Sequence, residues 1–269
     1  MTNKMRAAII KKDISNITGN KRNLSAIIIV SLVMTVLLPL VFILVIHLSP
    51  VDSPDMMDFY RLMGTNLPDL ENIDHDSLKS LLIFLILNNI VPLFFLLIPV
   101  MASSVMAADS FVGEKEKKTL ETLLYCPLPL KDIFRSKVLA AFLLSIAVCF
   151  FSFFIMLIAV ESLLFILTGK LVMLSINWLI IMFLVSPAAA LISISLIVRG
   201  SSKAQTSEEA QQTSLFLIMP VILLILGQFM GVMMLNSIVF FAIGALLALI
   251  ALLLFKGSFG KINYETVLK

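Results

Sequence analysis

LSAIIIVSLVMTVLLPLVFILVIHL, residues Leu24 to Leu48, is an uninterrupted apolar run, longer than the roughly 20 helical residues needed to cross a bilayer. A basic segment precedes it (Lys4, Arg6, Lys11, Lys12, Lys21, Arg22). The run far exceeds the roughly 7–15 apolar residues of a signal peptide, so it reads as a retained anchor. Five further runs of similar character follow: Leu81 to Ala108, Val138 to Val160, Ile176 to Val198, Leu215 to Met233 and Ser237 to Phe255. Of the 269 residues 60% are hydrophobic and 14% charged, so a soluble domain would have nowhere to put its apolar surface. The connections are too short for a soluble domain of about 100–150 residues. The expected fold is therefore all-α: one polytopic, six-span membrane domain over residues 1–269.

Six spans put both termini on one side, and the basic residues choose which. With the termini inside, the inner segments hold 17 of the 20 Lys and Arg, and the outer side keeps only Arg61, Lys79 and Lys170. The expectation is a cell-membrane protein with both termini cytoplasmic and a cytoplasmic amphipathic segment over residues 1–23 that touches anionic lipid. The net charge of +3 is a topology signal and does not point to nucleic acid. An acidic outer loop spans residues 49–80, with Asp52, Asp55, Asp58, Asp69, Glu71, Asp74 and Asp76 against Arg61 and Lys79.

The inventory of reactive side chains argues against catalysis. Cys126 falls on the reducing side and Cys149 inside the third span, which excludes a disulfide framework. His47 and His75 have no second ligand at metal-binding spacing. Glu208-Glu209 is similar to the double Glu of membrane-embedded prenyl endopeptidases. That pattern needs an Arg four residues further on, where Thr213 stands, and later His residues that are lacking. Met230, Met233 and Met234 read as packing residues rather than a soft-metal site. Gly227 and Gly231 form a literal GxxxG that allows close helix approach.

The most polar stretch is the inner connection between spans two and three, residues 109–137. From Glu114 to Tyr125 nothing breaks a helix, Glu114 precedes Lys118 by four residues, and acids open the first turn. Leu120, Leu123 and Leu124 make an apolar stripe, and Pro127 and Pro129 end the segment. A short amphipathic helix at the membrane surface is expected.

The same residues resemble the signature of the permease subunits of type-2 ATP-binding-cassette (ABC) exporters. In that family two acids one position apart precede a Thr-Leu-Glu-x-Leu-Leu run and then Pro-Leu. Here these are Glu114, Glu116, Thr119, Leu120, Glu121, Leu123, Leu124, Pro127 and Leu128. Ile9 to Asp13 with Asn20-Lys21-Arg22, and Ser201 to Ser214 before Pro220, are similar to the family's opening and to its fifth-helix entry. The pattern differs at Lys118 and Ser136, where Gly is usual. The resemblance implies that the helix is a coupling element docking on a separate ATPase subunit present in two copies. It also implies a second permease, either the same chain or a sibling.

No Gly-x-x-x-x-Gly-Lys-Ser/Thr loop occurs, so this chain is expected to be no enzyme and to bind no cofactor, with ATP and magnesium on the partner. Prolines within spans (Pro39, Pro92, Pro99, Pro187, Pro220) are candidate kinks. Small residues (Ser103 with Ala107, Ser104 with Ala108, and Ser186 to Ala190) allow close helix contact, including contact between permeases. Asn88, Asn89, Ser145, Ser152, Ser193 and Ser195 are candidate pathway residues, and no ionisable residue stands at the centre of a span. The expected substrate is amphipathic or hydrophobic, such as a peptide, antibiotic or lipid. A cation such as sodium, and a non-transporting anchor or sensor, are the alternatives.

Overall fold

The computed structural model describes residues 2–19, 21–50, 75–117, 119, 129–169, 175–201, 204–229 and 237–260. Every regular element among them is helical. An amino-terminal helix, Thr2–Gly19, precedes six helices long and apolar enough to cross a membrane: Leu24–Leu48, Leu78–Glu116, Leu130–Thr168, Ile176–Gly200, Ser207–Phe229 and Ser237–Gly257. The chain is thus an all-α multi-pass membrane protein. The amino-terminal helix and the facing ends of the second and third spans, at Glu116 and Leu130, lie at one end of the bundle, called here the basic end.

The second and fourth spans form the centre, with 72% and 67% of their apolar windows buried, against 17–33% for the other four. Lipid is as apolar as leucine, so helix contact inside a membrane depends on close packing by small residues. The second and fourth spans meet through such residues: Ala102, Ser103, Ala107, Ala190 and Ser193 are all buried. Ser103 and Ser193 both donate to the Val100 carbonyl, at 3.2 Å each, so a hydroxyl from each helix converges on one backbone oxygen. Ser103, Ala107 and Ala190, among the small residues expected to allow close helix contact, are buried within this chain. Against this core the sixth span approaches at Gly244. A Cβ there would come within 2.8 Å of Leu184 Cδ2 and 3.1 Å of Val185 Cγ2. Gly227 has open space around it instead.

Three of the five span prolines share one local geometry. The segments Val33–Leu37, Ile86–Ile90 and Ile181–Val185 are π-helical turns. In each, the amide of the residue just before the proline bonds back five residues: Leu38 to Val33, Val91 to Ile86, Ser186 to Ile181. Proline lacks an N–H, and its ring presses on the carbonyl four residues earlier. Widening the preceding turn relieves that pressure and keeps the helix continuous. Pro99 instead follows a break at Leu96, and Pro220 sits inside the helix Leu215–Phe229.

The π turn of the second span also exposes backbone oxygens, which the fourth span covers. Trp178 Nε1 donates to the Leu87 carbonyl at 3.0 Å and Asn177 Nδ2 to the Asn88 carbonyl at 3.3 Å. Asn88 Oδ1 in turn accepts the Ser175 amide at 2.7 Å. Trp178 is packed against Phe95 and Phe153, with ring centroids 5.7 and 5.4 Å away.

Candidate functional site

The second and third span helices each run for 39 residues, well beyond a hydrocarbon core about 30 Å thick. Their overhanging ends at the basic end flank the 117–129 connection. The amino-terminal helix lies across those ends, burying Ile9, Asp13 and Ile17, which are four residues apart and so share one face. The buried stripe of this segment faces protein, and it carries an acid at its middle.

That acid joins a buried ion cluster. Lys137, at the start of the third span, is almost fully buried, and its ammonium lies 2.9 Å from Glu114 Oε2 and 3.4 Å from Asp13 Oδ2. It donates to the Ser110 carbonyl at 2.9 Å, while the Ser110 hydroxyl donates to Asp13 Oδ2 at 3.2 Å. The Glu114 contact is an ion pair without hydrogen-bond alignment, and Lys12 adds a second cation at 3.2 Å from Glu114 Oε1. Phe111 covers the ammonium from the side, 5.9 Å from its ring centroid. Two turns towards the amino terminus, Arg6 pairs with Asp132 at 2.9 Å. Burial pushes the Asp13 carboxyl above its usual range, and nearby Lys137 only partly offsets this; the Glu114 charge adds to the rise.

Glu114 and Glu116 were expected to open a separate surface helix. The second span instead continues through Glu116, so both acids belong to its last turns. Glu114 points inward to the cluster. Glu116 points outward and accepts from the Ser207 amide and hydroxyl, at 3.2 and 3.3 Å, at the start of the short helix Ser207–Gln212. Gly113 makes room for this approach, since a Cβ there would meet Ser207 Oγ at 3.2 Å. Thr119 folds back, its amide and hydroxyl donating to the Glu114 carbonyl at 2.9 and 3.2 Å, which caps the helix end. Leu120, Glu121, Leu123, Leu124, Pro127 and Leu128 lie outside the described residues, as do Met230, Met233 and Met234 and residues 51–74 of the acidic loop.

Glu208-Glu209 also has a local explanation. Thr206 Oγ1 accepts the Glu209 amide at 3.2 Å, and Glu209 Oε2 accepts the Gln205 amide at 2.9 Å. This is a capping arrangement, with both acids in the first helical turn where the dipole favours them.

The six candidate pathway residues lie on the second, third and fourth spans. Asn88 is occupied as described, Asn89 donates to Leu85 O and Ser145 to Phe142 O, and Ser193 is held on the second span. Ser152 and Ser195 are buried. The cluster, by contrast, was missed: Lys137 reads as one more topogenic lysine. The signal that could have found it is Asp13, standing between Ile9 and Ile17 on one helical face.

Comparison with known proteins returns no protein-family model, no curated protein and no solved structure that matches the chain.

Proposed function

We propose that this chain is the permease half of an ABC exporter, lying in the cell membrane with its basic end in the cytoplasm. Orientation rests on the basic residues, 17 of 20 of which fall on the side assigned to the cytoplasm. The observation that carries the reading is the position of the signature-like stretch Glu114 to Leu128. It directly joins the second and third spans, whose helices overhang the bilayer and are tied to each other through Glu114 and Lys137. A displacement applied to that stretch by a partner would move both helices as rigid bodies. Two copies of a separate ATPase would bind ATP and magnesium, and this chain would supply no catalytic group. The transported molecule is amphipathic or hydrophobic and moves outward along an interface with a second permease. Asn88, Asn89, Ser145, Ser152, Ser193 and Ser195 are its candidate lining residues.

The test is purification from native membranes in several mild detergents. Co-isolation of a soluble ATPase subunit, with ATP hydrolysis stimulated by hydrophobic peptides or lipids, is the expected result. Recovery of the permease without any ATPase in every detergent would overturn the reading in favour of an anchor or sensor.

A further inference from the structure

Glu114 and Glu116 are separated by one residue, a rotation of about 200° around a helix, so they face opposite sides of the second-span end. Each is held by a different neighbour. Glu114 pairs with Lys137 of the third span at 2.9 Å, while Glu116 Oε2 accepts from the Ser207 amide and hydroxyl at 3.2 and 3.3 Å. Ser207 opens the short helix Ser207–Gln212 that leads into the fifth span. More than this clasp seats that helix on the second span. Ala204, just before it, and Ala210, within it, are buried in one apolar cluster with Ala107, Ala108, Phe111 and Val112 of the second span. Gly113 permits the close approach, since a Cβ there would lie 3.2 Å from Ser207 Oγ. A tight turn then separates the short helix from the fifth span, with the Thr213 and Ser214 amides donating to the Ala210 and Gln211 carbonyls at 3.2 and 2.9 Å. Beyond that turn the fifth span has only 17% of its apolar window buried, against 72% for the second. The loosely packed fifth span thus enters the bundle from a helix docked on the second.

We propose that Glu116 is a positioning residue: through Ser207 it makes the helix Ser207–Gln212 part of the second-span end, so the inner end of the fifth span follows that end when it moves. Together with Glu114 it divides a displacement of the 117–129 connection between the third span and the fifth. The spacing of the two acids has a physical reason here. Acids three or four residues apart would share one helix face and reach only one neighbour, whereas a spacing of two serves both. The joining of the second and fifth spans stands on the geometry alone, and its use in transport rests on the permease reading above.

The experiment uses the full chain in lipid nanodiscs without any ATPase, so its failure is separate from a failure of the permease reading. Hydrogen exchange by mass spectrometry follows the amides from Ala210 to Ser214. Spin labels at Leu139→Cys and Met219→Cys, two exposed positions on the third and fifth spans, report the distance between those helices in a background carrying Cys126→Ser and Cys149→Ala. Glu116→Ala should speed the exchange about three- to tenfold, the factor to which the net worth of one hydrogen bond corresponds. It should also widen the distance distribution. Glu116→Gln keeps an acceptor oxygen and should restore both readouts. Gly113→Val pushes Ser207 away while leaving both acids in place; it should reproduce the effect of Glu116→Ala, and it decides if that variant fails to fold. Faster exchange with an unchanged distance distribution would reduce Glu116 to a local cap and overturn the proposal, as would no change in either readout.

Discussion

Glu114 Oε2 and Lys137 Nζ stand 2.9 Å apart across the inward-facing sides of the second and third spans, with both side chains almost wholly buried. The two residues flank the 117–129 connection, so the ends of that segment are tied before it begins and after it finishes. A buried pair of this kind contributes little net stability compared with apolar packing, but breaking it by removing one partner is costly because the other charge stays buried.

Lys137→Met should therefore be more harmful than its size suggests. It leaves Asp13 and Glu114 facing each other without their shared cation, at an expected cost of about 3–5 kcal/mol. The triple variant Asp13→Asn, Glu114→Gln, Lys137→Met should recover part of that loss. Thermal unfolding of the purified protein in detergent measures both, and a triple variant no better than the single one would contradict the pairing.

Asn88→Leu removes the acceptor of the Ser175 amide while keeping side-chain volume. A buried polar group left unpaired costs about 1–3 kcal/mol in general, and hydrogen bonds inside membrane proteins average nearer the lower figure. An expected loss of about 1 kcal/mol would appear as a lower unfolding midpoint. Asn89→Leu, whose amide donates only to its own helix at Leu85 O, should change it less.

Gly244→Val places two methyl groups and a Cβ where Leu184 and Val185 already stand. Overpacking should cost about 1–3 kcal/mol and part the sixth span from the π turn of the fourth. Gly227→Val, on an open helix surface, should be close to neutral in the same unfolding assay.

Leu123→Asp and Leu124→Asp each put a charge on the stripe assigned to ATPase docking. Membrane insertion and expression should persist, while the amount of ATPase co-isolated falls at least several-fold. Undiminished co-isolation with both variants would remove the stripe from the docking surface.

Much of this architecture was legible in the sequence, because a bilayer imposes a length and an apolar character that any 20-residue window reveals. The first span agrees at both ends, Leu24 and Leu48. The second and third extend beyond their apolar runs, because charged residues interrupt those runs without ending the helix: Asp109 to Glu116 in the second, and Lys131 to Lys137 and Glu161 in the third. The prolines were visible, but nothing in their neighbours tells that Pro39, Pro92 and Pro187 widen a turn whereas Pro220 does not. Asp13 and Lys137 are 124 positions apart. No local pattern joins them, because their pairing depends on how the amino-terminal helix crosses the span ends.

Trp178 is the single tryptophan of the chain, and it sits where the second and fourth spans meet, almost fully buried, with its indole N–H on the Leu87 carbonyl. Ultraviolet emission excited at tryptophan wavelengths therefore arises from one address in the bundle. While those helices stay together the indole is dry and its emission blue. Any step of a working cycle that parts them would wet the ring and redden the light. The protein thus carries an intrinsic optical gauge of its central helix pair, usable in unlabelled membranes while nucleotides, partners or candidate cargo are added.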